Sequence, residues 1–364
     1  MSNRYLLIAG VAILSFSLTS CGSGTTAMFR GDPTHSGVIA GSGPKTLDAL
    51  KWKFTTPDKV YASPVASDKE VYQGCNDGFL YAVNADTGLL NWKFRTEGNI
   101  ESTPALVDGV IYVGSWDNSL YAIDTETRGT RWKFPTKGPV SSSPAVVDGV
   151  VYVGSEDGHV YAIDAKSGSE KWRFNAEGGV YSSPAVYGDH VFFGTMNGYL
   201  FAVDIKSGQE YWRFNAHQKI HSSPAVDGDK VYVGTDAKFV HAINIKTGQE
   251  MWQKKTAGEV LSSPAIHDDR VIVGSKDGYV YSFDAGTGTR QWEFRTEGPV
   301  FSAPVVASGT IYIGSTDTYI YAIDAGSGTL RWKYRTDNKV YSSPTVNNGT
   351  VYFSSVNGSL YAVQ

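Results

Sequence analysis

The chain has 364 residues, a length that suffices for one large domain or two ordinary ones. Its 40 glycines and 22 tyrosines, against only 4 methionines, favour strands and turns over helices. The net charge of −4 and the lack of any run of basic residues exclude a polybasic surface for nucleic acid.

The N-terminus predicts a targeting segment that ends at a lipid anchor. Arg4 precedes a 14-residue apolar stretch, Tyr5–Leu18, which is too short to cross a bilayer comfortably and is typical of a secretory signal. The next residues lead to Cys21, and Leu18-Thr19-Ser20-Cys21 resembles the bacterial lipobox, in which the cysteine is acylated after cleavage. We therefore predict that Cys21 is lipidated. The alternative is an ordinary signal peptide that happens to end near a cysteine.

This anchor predicts where the protein is found. Gly22, rather than an aspartate, follows Cys21, and we expect such a lipoprotein in a double-membraned bacterium to reach the outer membrane and face the periplasm. The predicted organisation is a signal peptide at 1–20, a linker and lead-in segment at 21–50, and one repeat domain at 51–364.

The repeat domain has a period of forty residues. Its repeated tryptophans are Trp52, Trp92, Trp132, Trp172, Trp212, Trp252, Trp292 and Trp332. Its repeated prolines are Pro64, Pro104, Pro144, Pro184, Pro224, Pro264, Pro304 and Pro344. A period near forty without insertions predicts a solenoid or a propeller.

Each period predicts four short strands. One period contains the runs "YSSPAV", "HVFFGT", "YLFAVD" and "EYWRFN", which are rich in β-branched and aromatic residues. The intervening Asp-Gly and Asn-Gly pairs supply the positive φ angles that tight hairpins need. The pattern indicates a four-stranded antiparallel meander. No segment has a convincing hydrophobic periodicity of an amphipathic helix.

The two ends of the chain predict how the repeats close. The chain ends at "LYAVQ", before the eighth period reaches its own tryptophan strand, whereas "LKWKF" around Trp52 supplies such a strand at the other end. We predict an all-β fold, an eight-bladed β-propeller of four-stranded antiparallel blades, closed by pairing the N-terminal strand with the C-terminal blade. Deletion of residues 1–56 is expected to open the ring, whereas deletion of residues 1–40 is expected to be mild.

An eleven-residue motif, A-x-D-x-x-T-G-x-x-x-W, can be read in seven copies. One copy is Ala162, Asp164, Ser167, Gly168 and Trp172. The departures are Asn84 and Asn244 for the aspartate, Ser282 for the alanine, and Arg128-Gly129, which shifts one glycine. On these residues 51–364 resembles the PQQ-like, or quinoprotein-type, β-propeller repeat family. The segment Met28–Gly37, "MFRGDPTHSG", is similar to the lead-in that precedes the first blade in that family.

The repeated tryptophans are interpreted as structural docking residues, because blade packing needs eight identical copies and function rarely does. Function is expected where the copies differ: at the residue after the buried Val or Ile that opens each inner strand, and at the tip between the second and third strands. We expect both positions to lie around the mouth of the channel. The candidate binding face is Tyr61, Glu101, Trp116, Tyr181, His221, Phe301 and Tyr341. The alternative is neutral drift at exposed loops.

Histidine and cysteine predict no metal site. His217 and His221 are four residues apart, which would suit a helix, but they flank a loop-to-strand junction without a carboxylate or cysteine at ligand spacing. Cys75 replaces a residue that is Ser or Thr in most blades, and we interpret it as a small buried filler.

The favoured functional hypothesis is a non-catalytic, lipid-anchored scaffold that binds a cell-envelope protein. The architecture resembles the BamB-type lipoproteins of this family, which assist outer-membrane β-barrel assembly. That resemblance implies the β-barrel assembly machinery as a partner and a monomeric propeller. A surface module that binds sugars or peptides is one alternative.

The second alternative is a PQQ-dependent dehydrogenase. The family resemblance implies that such an enzyme holds its quinone above a tryptophan floor and beneath a disulfide between adjacent cysteines, with a calcium ion and an aspartate base. This sequence has no adjacent cysteines, no long insertions between blades and no identifiable base. We therefore expect neither PQQ nor enzymatic activity.

Overall fold

In the computed structural model, which describes residues 26–364, eight antiparallel blades of four strands form a ring, and a short strand of the lead-in segment adds a fifth strand to one of these sheets. Seven of the blades run from an inner strand to an outer strand in chain order, and the outer strand of every blade carries one of the repeated tryptophans. The predicted all-β, eight-bladed propeller is confirmed.

The strands follow the repeat. Before the first blade lie β1 (Thr26–Ala27) and β2 (Leu50–Thr55). Blade 1 is β3 (Val65–Ala66), β4 (Glu70–Gly74), β5 (Phe79–Asn84) and β6 (Leu90–Arg95). Blade 2 is β7 (Ala105–Val107), β8 (Val110–Ser115), β9 (Ser119–Asp124) and β10 (Thr130–Pro135). Blade 3 is β11 (Ala145–Val147), β12 (Val150–Gly154), β13 (His159–Asp164) and β14 (Glu170–Asn175). Blade 4 is β15 (Ala185–Tyr187), β16 (His190–Gly194), β17 (Tyr199–Asp204) and β18 (Glu210–Asn215).

The second half of the ring continues in the same way. Blade 5 is β19 (Ala225–Asp227), β20 (Lys230–Gly234), β21 (Phe239–Asn244) and β22 (Glu250–Lys255). Blade 6 is β23 (Ala265–His267), β24 (Arg270–Gly274), β25 (Tyr279–Asp284) and β26 (Arg290–Arg295). Blade 7 is β27 (Val305–Ala307), β28 (Thr310–Gly314), β29 (Tyr319–Asp324) and β30 (Leu330–Arg335). Blade 8 contains β31 (Thr345–Asn347), β32 (Thr350–Ser355) and β33 (Ser359–Val363).

Blade 8 closes the ring with a strand from the other end of the chain. Its order is β2-β33-β32-β31, and Trp52 of β2 lies opposite Ala362 of β33. The predicted closure is therefore confirmed, and the outer position of the last blade is filled.

The hydrophobic core lies between neighbouring blades rather than within one. Tyr152 and Ala162 of blade 3, for example, pack with Val191 and Phe193 of blade 4 in a single buried cluster. Because the two faces of each sheet are covered by the adjacent blades, no blade buries its surface alone.

A ring of hydrogen bonds joins the inner ends of the blades. At seven of the eight repeated prolines, the backbone N–H of the preceding residue donates to the hydroxyl of the equivalent residue in the next blade, as Ser143 does to Ser183 at 3.0 Å. The hydroxyl acceptors are Thr103, Ser143, Ser183, Ser223, Ser263, Ser343 and Ser63. Ala303 has no hydroxyl and interrupts this series. The repeated Ser-Ser-Pro sequence is the sequence signal for this ring of hydrogen bonds, which was not predicted.

The lead-in segment crosses the channel inside the ring. β1 pairs with the inner strand of blade 2, and the guanidinium of Arg30 donates to the Ser263 and Pro264 carbonyls of blade 6, on the opposite side of an eight-membered ring. Inner strands of blades 4 to 7 then donate backbone N–H groups to the carbonyls of Pro33, Thr34, Ser36 and Gly37. Arg30 and His35 are both buried by this arrangement.

This position leads us to expect that deletion of residues 1–40 destabilises the protein, instead of the mild effect expected from the sequence. Residues 28–40 are not a loose lead-in, because the deletion would strip partners from four inner strands and leave a channel through the ring. The signal peptide and Cys21 lie outside the described residues.

Candidate functional site

The candidate site is the rim where the blade-connecting loops meet the second-hairpin tips. The backbone N–H of Trp116 donates to the Asn99 carbonyl at 2.9 Å, and that of Met196 donates to Gly179 at 3.0 Å. The same bond recurs in other blades, so that tips and loops form one continuous mouth. The third-hairpin tips lie on the opposite rim, where the N–H of Ala165 donates to Gly149 of the first hairpin.

One side of the mouth, here called the acidic arc, consists of Glu101, Trp116, Ser141, Glu156 and Tyr181. The Ser141 hydroxyl accepts from Trp116 Nε1 at 3.0 Å and donates to Glu156 Oε1 at 2.8 Å. The hydroxyl of Tyr181 donates to Glu156 Oε2 at 2.6 Å. This chain links blades 2, 3 and 4 and holds the indole and phenol rings in fixed positions, although both remain exposed.

Glu101 belongs to the same arc and has a polar neighbour of its own. Asn76 Nδ2 of blade 1 donates to Glu101 Oε1 at 3.3 Å. Partial burial raises the pKa of Glu101, and the negative charge of Glu156 adds to that rise. The two carboxylates therefore repel each other across the arc.

The other side of the mouth, here called the aromatic arc, consists of Lys276, Phe301, Tyr341 and Tyr61. The Phe301 and Tyr341 ring centroids lie 5.0 Å apart, and those of Tyr341 and Tyr61 lie 5.9 Å apart. The Lys276 ammonium lies 5.9 Å from the Phe301 centroid and pairs with Glu259 at 2.8 Å. Aromatic pairs at such distances stabilise each other beyond the area they bury.

His221 lies beside the acidic arc and pairs within its own blade. Its Nδ1 lies 2.9 Å from Asp236 Oδ1, and its ring centroid lies 6.2 Å from that of Tyr181. His217 is exposed elsewhere in the same loop. Among residues 26–364 no three His, Cys, Asp or Glu side chains are grouped as a metal site requires.

The structure thus brings the seven predicted binding-face residues to one rim, in two arcs and an adjoining histidine. Ser141 and Glu156, which connect the acidic arc, were not among the predicted binding-face residues. Both occupy the variable positions of the repeat, so the comparison of blades already contained the signal. Cys75 is fully buried, and burial raises the pKa of its thiol to about 11.

The repeated tryptophans lie away from the mouth and join neighbouring blades. Trp132 Nε1 donates to the Ala165 carbonyl of the next blade at 2.9 Å. Gly168, with φ 72, packs on the same indole, and a Cβ added there would lie 2.6 Å from it. Glycine is required at this position because it allows both the left-handed backbone and the close approach.

Two repeated tryptophans dock differently from the other six. Trp332 Nε1 donates to the Pro44 carbonyl of the lead-in segment at 2.9 Å, and Trp92 also lacks the usual acceptor in the next blade. The position equivalent to Gly168 is occupied by Arg128, with φ 59, and a side chain there obstructs the usual docking. Trp92 Nε1 instead donates to the Glu70 carboxylate of its own blade at 3.1 Å. A groove of about 870 Å³, lined in part by Glu70 and Asp108, lies at this junction of blades 1 and 2.

Replacement of a docking tryptophan should destabilise the ring. We expect Trp132→Ala to lower the free energy of unfolding by about 3–5 kcal/mol, because a buried indole is lost and a cavity remains. Trp116→Ala is the matched control, and since that side chain is exposed its effect should stay within about 0.5 kcal/mol. Urea unfolding followed by circular dichroism measures both, and equal effects would contradict the docking role.

Comparisons with known proteins agree with the fold. A family described as "Beta-alanine-activating enzyme, beta-propeller" matches residues 33–226 and 186–364. No curated protein matches the chain. BamB from Moraxella catarrhalis is similar with a TM-score of 0.74 and 19% identity, over 87% of this chain and 99% of that one.

Two dehydrogenases are similar in the same way. The quinohemoprotein alcohol dehydrogenase from Comamonas testosteroni has a TM-score of 0.80 and 14% identity, over 92% of this chain and 80% of that one. A europium-containing methanol dehydrogenase has a TM-score of 0.77 and 14% identity, over 92% of this chain and 97% of that one. These likenesses confirm the resemblance to PQQ-like propellers at the level of the fold. In the part of the chain that the structure describes, no helix is long and apolar enough to span a bilayer.

Proposed function

We propose that this chain, which belongs to the family described as "Beta-alanine-activating enzyme, beta-propeller", is a non-catalytic scaffold. It would bind a cell-envelope protein through the mouth of its channel. A lipidated Cys21 would hold it at the outer membrane, on the periplasmic side. Its task would be to assist the assembly of outer-membrane β-barrel proteins, as the resemblance to BamB-type lipoproteins implies.

The observation that carries this proposal is the set of exposed, fixed aromatic side chains at the mouth. Tyr61, Trp116 and Tyr181 are 37%, 42% and 38% exposed. The Trp116 and Tyr181 side chains donate hydrogen bonds, and the Tyr61 ring packs edge-on against Tyr341. Tyrosine and tryptophan dominate the binding energy of protein interfaces, and rings that are already fixed lose little entropy on binding.

The proposal is tested by crosslinking in the intact cell envelope. A photo-crosslinking amino acid at Trp116 or at Tyr61 should capture one defined protein, and a component of the β-barrel assembly machinery would support the full proposal. The matched control is the same amino acid at Lys206, an exposed third-hairpin tip on the opposite rim. Equal capture from both rims, or none from the mouth, would contradict the proposal.

The anchor has its own prediction. Cys21→Ser should release the protein from the outer-membrane fraction, because the thiol that carries the acyl chains is gone and each buried CH₂ of those chains contributes about 0.8 kcal/mol. Cys75→Ser is the matched control and should leave the protein in the membrane fraction. If the Cys21→Ser protein stays with the outer membrane, the anchor assignment is wrong.

A quinoprotein dehydrogenase is the alternative that the two similar enzymes raise. Its chemistry needs a base beside a metal-polarised quinone. The mouth carboxylates closest to that requirement, Glu101 and Asp236, lie in blades 2 and 5, and Asp236 is already paired with His221. These two carboxylates do not fit the requirements of a metal-polarised quinone with a base beside it, and this misfit supports a non-catalytic role.

We therefore expect no dehydrogenase activity in a sensitive assay. Purified protein supplied with PQQ and calcium should not reduce a dye with alcohols or aldose sugars as substrates. Turnover that Glu101→Gln or Asp236→Asn abolishes would overturn the scaffold proposal. Binding of sugars without turnover, measured by calorimetry, would favour the sugar-binding alternative instead.

A further inference from the structure

The mouth carboxylates differ in whether they have a basic side chain as a partner. Asp236 pairs with His221 at 2.9 Å, and Glu259 pairs with Lys276 at 2.8 Å. Within residues 26–364, neither Glu101 nor Glu156 lies within 4.0 Å of a Lys, Arg or His nitrogen. The acidic arc therefore carries two negative charges without a counter-charge of its own.

Both carboxylates keep acceptor capacity. Each Glu156 oxygen accepts one hydrogen bond, from Ser141 or from Tyr181, and a carboxylate oxygen can accept about two. Glu101 accepts one bond, from Asn76. The neutral groups that bind these oxygens orient them, yet leave their charge uncompensated.

Exposed aromatic rings adjoin the same carboxylates. The Trp116 indole and the Tyr181 ring are fixed by the hydrogen-bond chain through Ser141 and Glu156, and both remain accessible. A guanidinium group is planar, stacks on aromatic faces and donates in a fork that matches a carboxylate, whereas an ammonium is a compact and strongly hydrated charge.

From this combination we infer that the acidic arc binds an arginine side chain of a protein partner. The guanidinium stacks on Trp116 or Tyr181 and pairs with Glu156, and its charge relieves the repulsion between Glu156 and Glu101. The aromatic arc, which has its own lysine, does not compete for this group. The inference rests on the proposed function, since it names the partner's chemistry at the same mouth.

A peptide experiment tests the inference directly. The probes are acetyl-Gly-Gly-Arg-Gly-Gly-amide and the same peptide with citrulline, which keeps the shape and loses the charge. Binding is followed by the NMR signal of the Trp116 indole N–H, assigned by its loss in Trp116→Phe. We expect the arginine peptide to shift this signal in a saturable way and the citrulline peptide to bind at least tenfold more weakly.

Variants locate the binding group. Glu156→Gln and Glu101→Gln should each weaken arginine-peptide binding at least threefold, and the double variant should weaken it more. Glu126→Gln, at an exposed tip on the opposite rim, is the matched control and should change nothing. Equal binding of the citrulline peptide, or unchanged binding in the double variant, would overturn the inference.

The envelope crosslink separates this inference from the proposed function. If a partner is captured at Tyr61 equally well with and without the Glu101→Gln and Glu156→Gln changes, the proposed function stands and the arginine site is wrong. If unaltered protein captures no partner from the mouth, the proposed function fails, whatever the peptides show.

Discussion

Removal of residues 1–56 should give a protein that aggregates instead of a stable monomer. The deletion takes away β2, whose residues Leu50–Thr55 form the outer strand of blade 8. It also takes away the buried indole of Trp52, whose Nε1 donates to the Ala85 carbonyl of blade 1 at 2.9 Å. Loss of this indole alone costs about 3–5 kcal/mol, against a total stability of about 5–15 kcal/mol. The exposed edge of β33 can then pair with another chain.

Two shorter deletions isolate the cause. Removal of residues 1–25 leaves every described contact in place and should change stability little. Removal of residues 1–40 keeps the ring closed but withdraws the lead-in from the channel, and it should destabilise the protein without causing the aggregation of the longest deletion. Size-exclusion chromatography and urea unfolding separate the three cases. A monomeric 57–364 protein with unaltered stability would contradict the circular closure.

Acid should destabilise the protein through His35. Burial, with a further contribution from the neighbouring Arg30 charge, lowers the pKa of His35 to about 4, whereas the unfolded value is about 6.5. Above pH 6.5 the imidazole is neutral in both states. As the pH falls below that value, the unfolded chain binds a proton that the folded protein does not take up until about pH 4. The free energy of unfolding should therefore fall by about 1.4 kcal/mol per pH unit across this window.

His35→Asn tests this effect with little backbone strain. His35 has φ 57, a conformation that asparagine tolerates better than most residues, and the change removes the titrating group. His217→Asn is the matched control, because His217 has φ 61 but is exposed. Urea unfolding at pH 7, 6 and 5 should show a flatter dependence for His35→Asn only. The buried His241, whose pKa burial also lowers, leaves part of the slope in both variants. An unchanged slope in His35→Asn would contradict the assignment.

At the mouth, comparison of the repeats predicted the candidate positions but not the contacts between them. Packing needs the same residue in every blade, so the positions that differ, such as Trp116 and Tyr181, were identified as candidates from the sequence. Which of them touch was not predictable, since that depends on side-chain directions across blade junctions. Ser141 connects Trp116 to Glu156, yet in the sequence it is only a small polar residue at a variable position.

The sequence by itself determined the strand pattern, the number of blades and the closure by β2, because each follows from a strict forty-residue period and from the count of strands at the two ends. Only the tertiary structure decided the path of residues 28–40 across the channel and the altered docking of Trp92. The lead-in lacks a repeat, and its backbone is satisfied by inner strands far away in the chain. The Arg128-Gly129 shift was visible in the sequence, but its consequence depends on whether a side chain fits over the indole of the neighbouring blade. Periodic local patterns specify blades, whereas contacts between blades depend on the three-dimensional arrangement of residues that are distant in sequence.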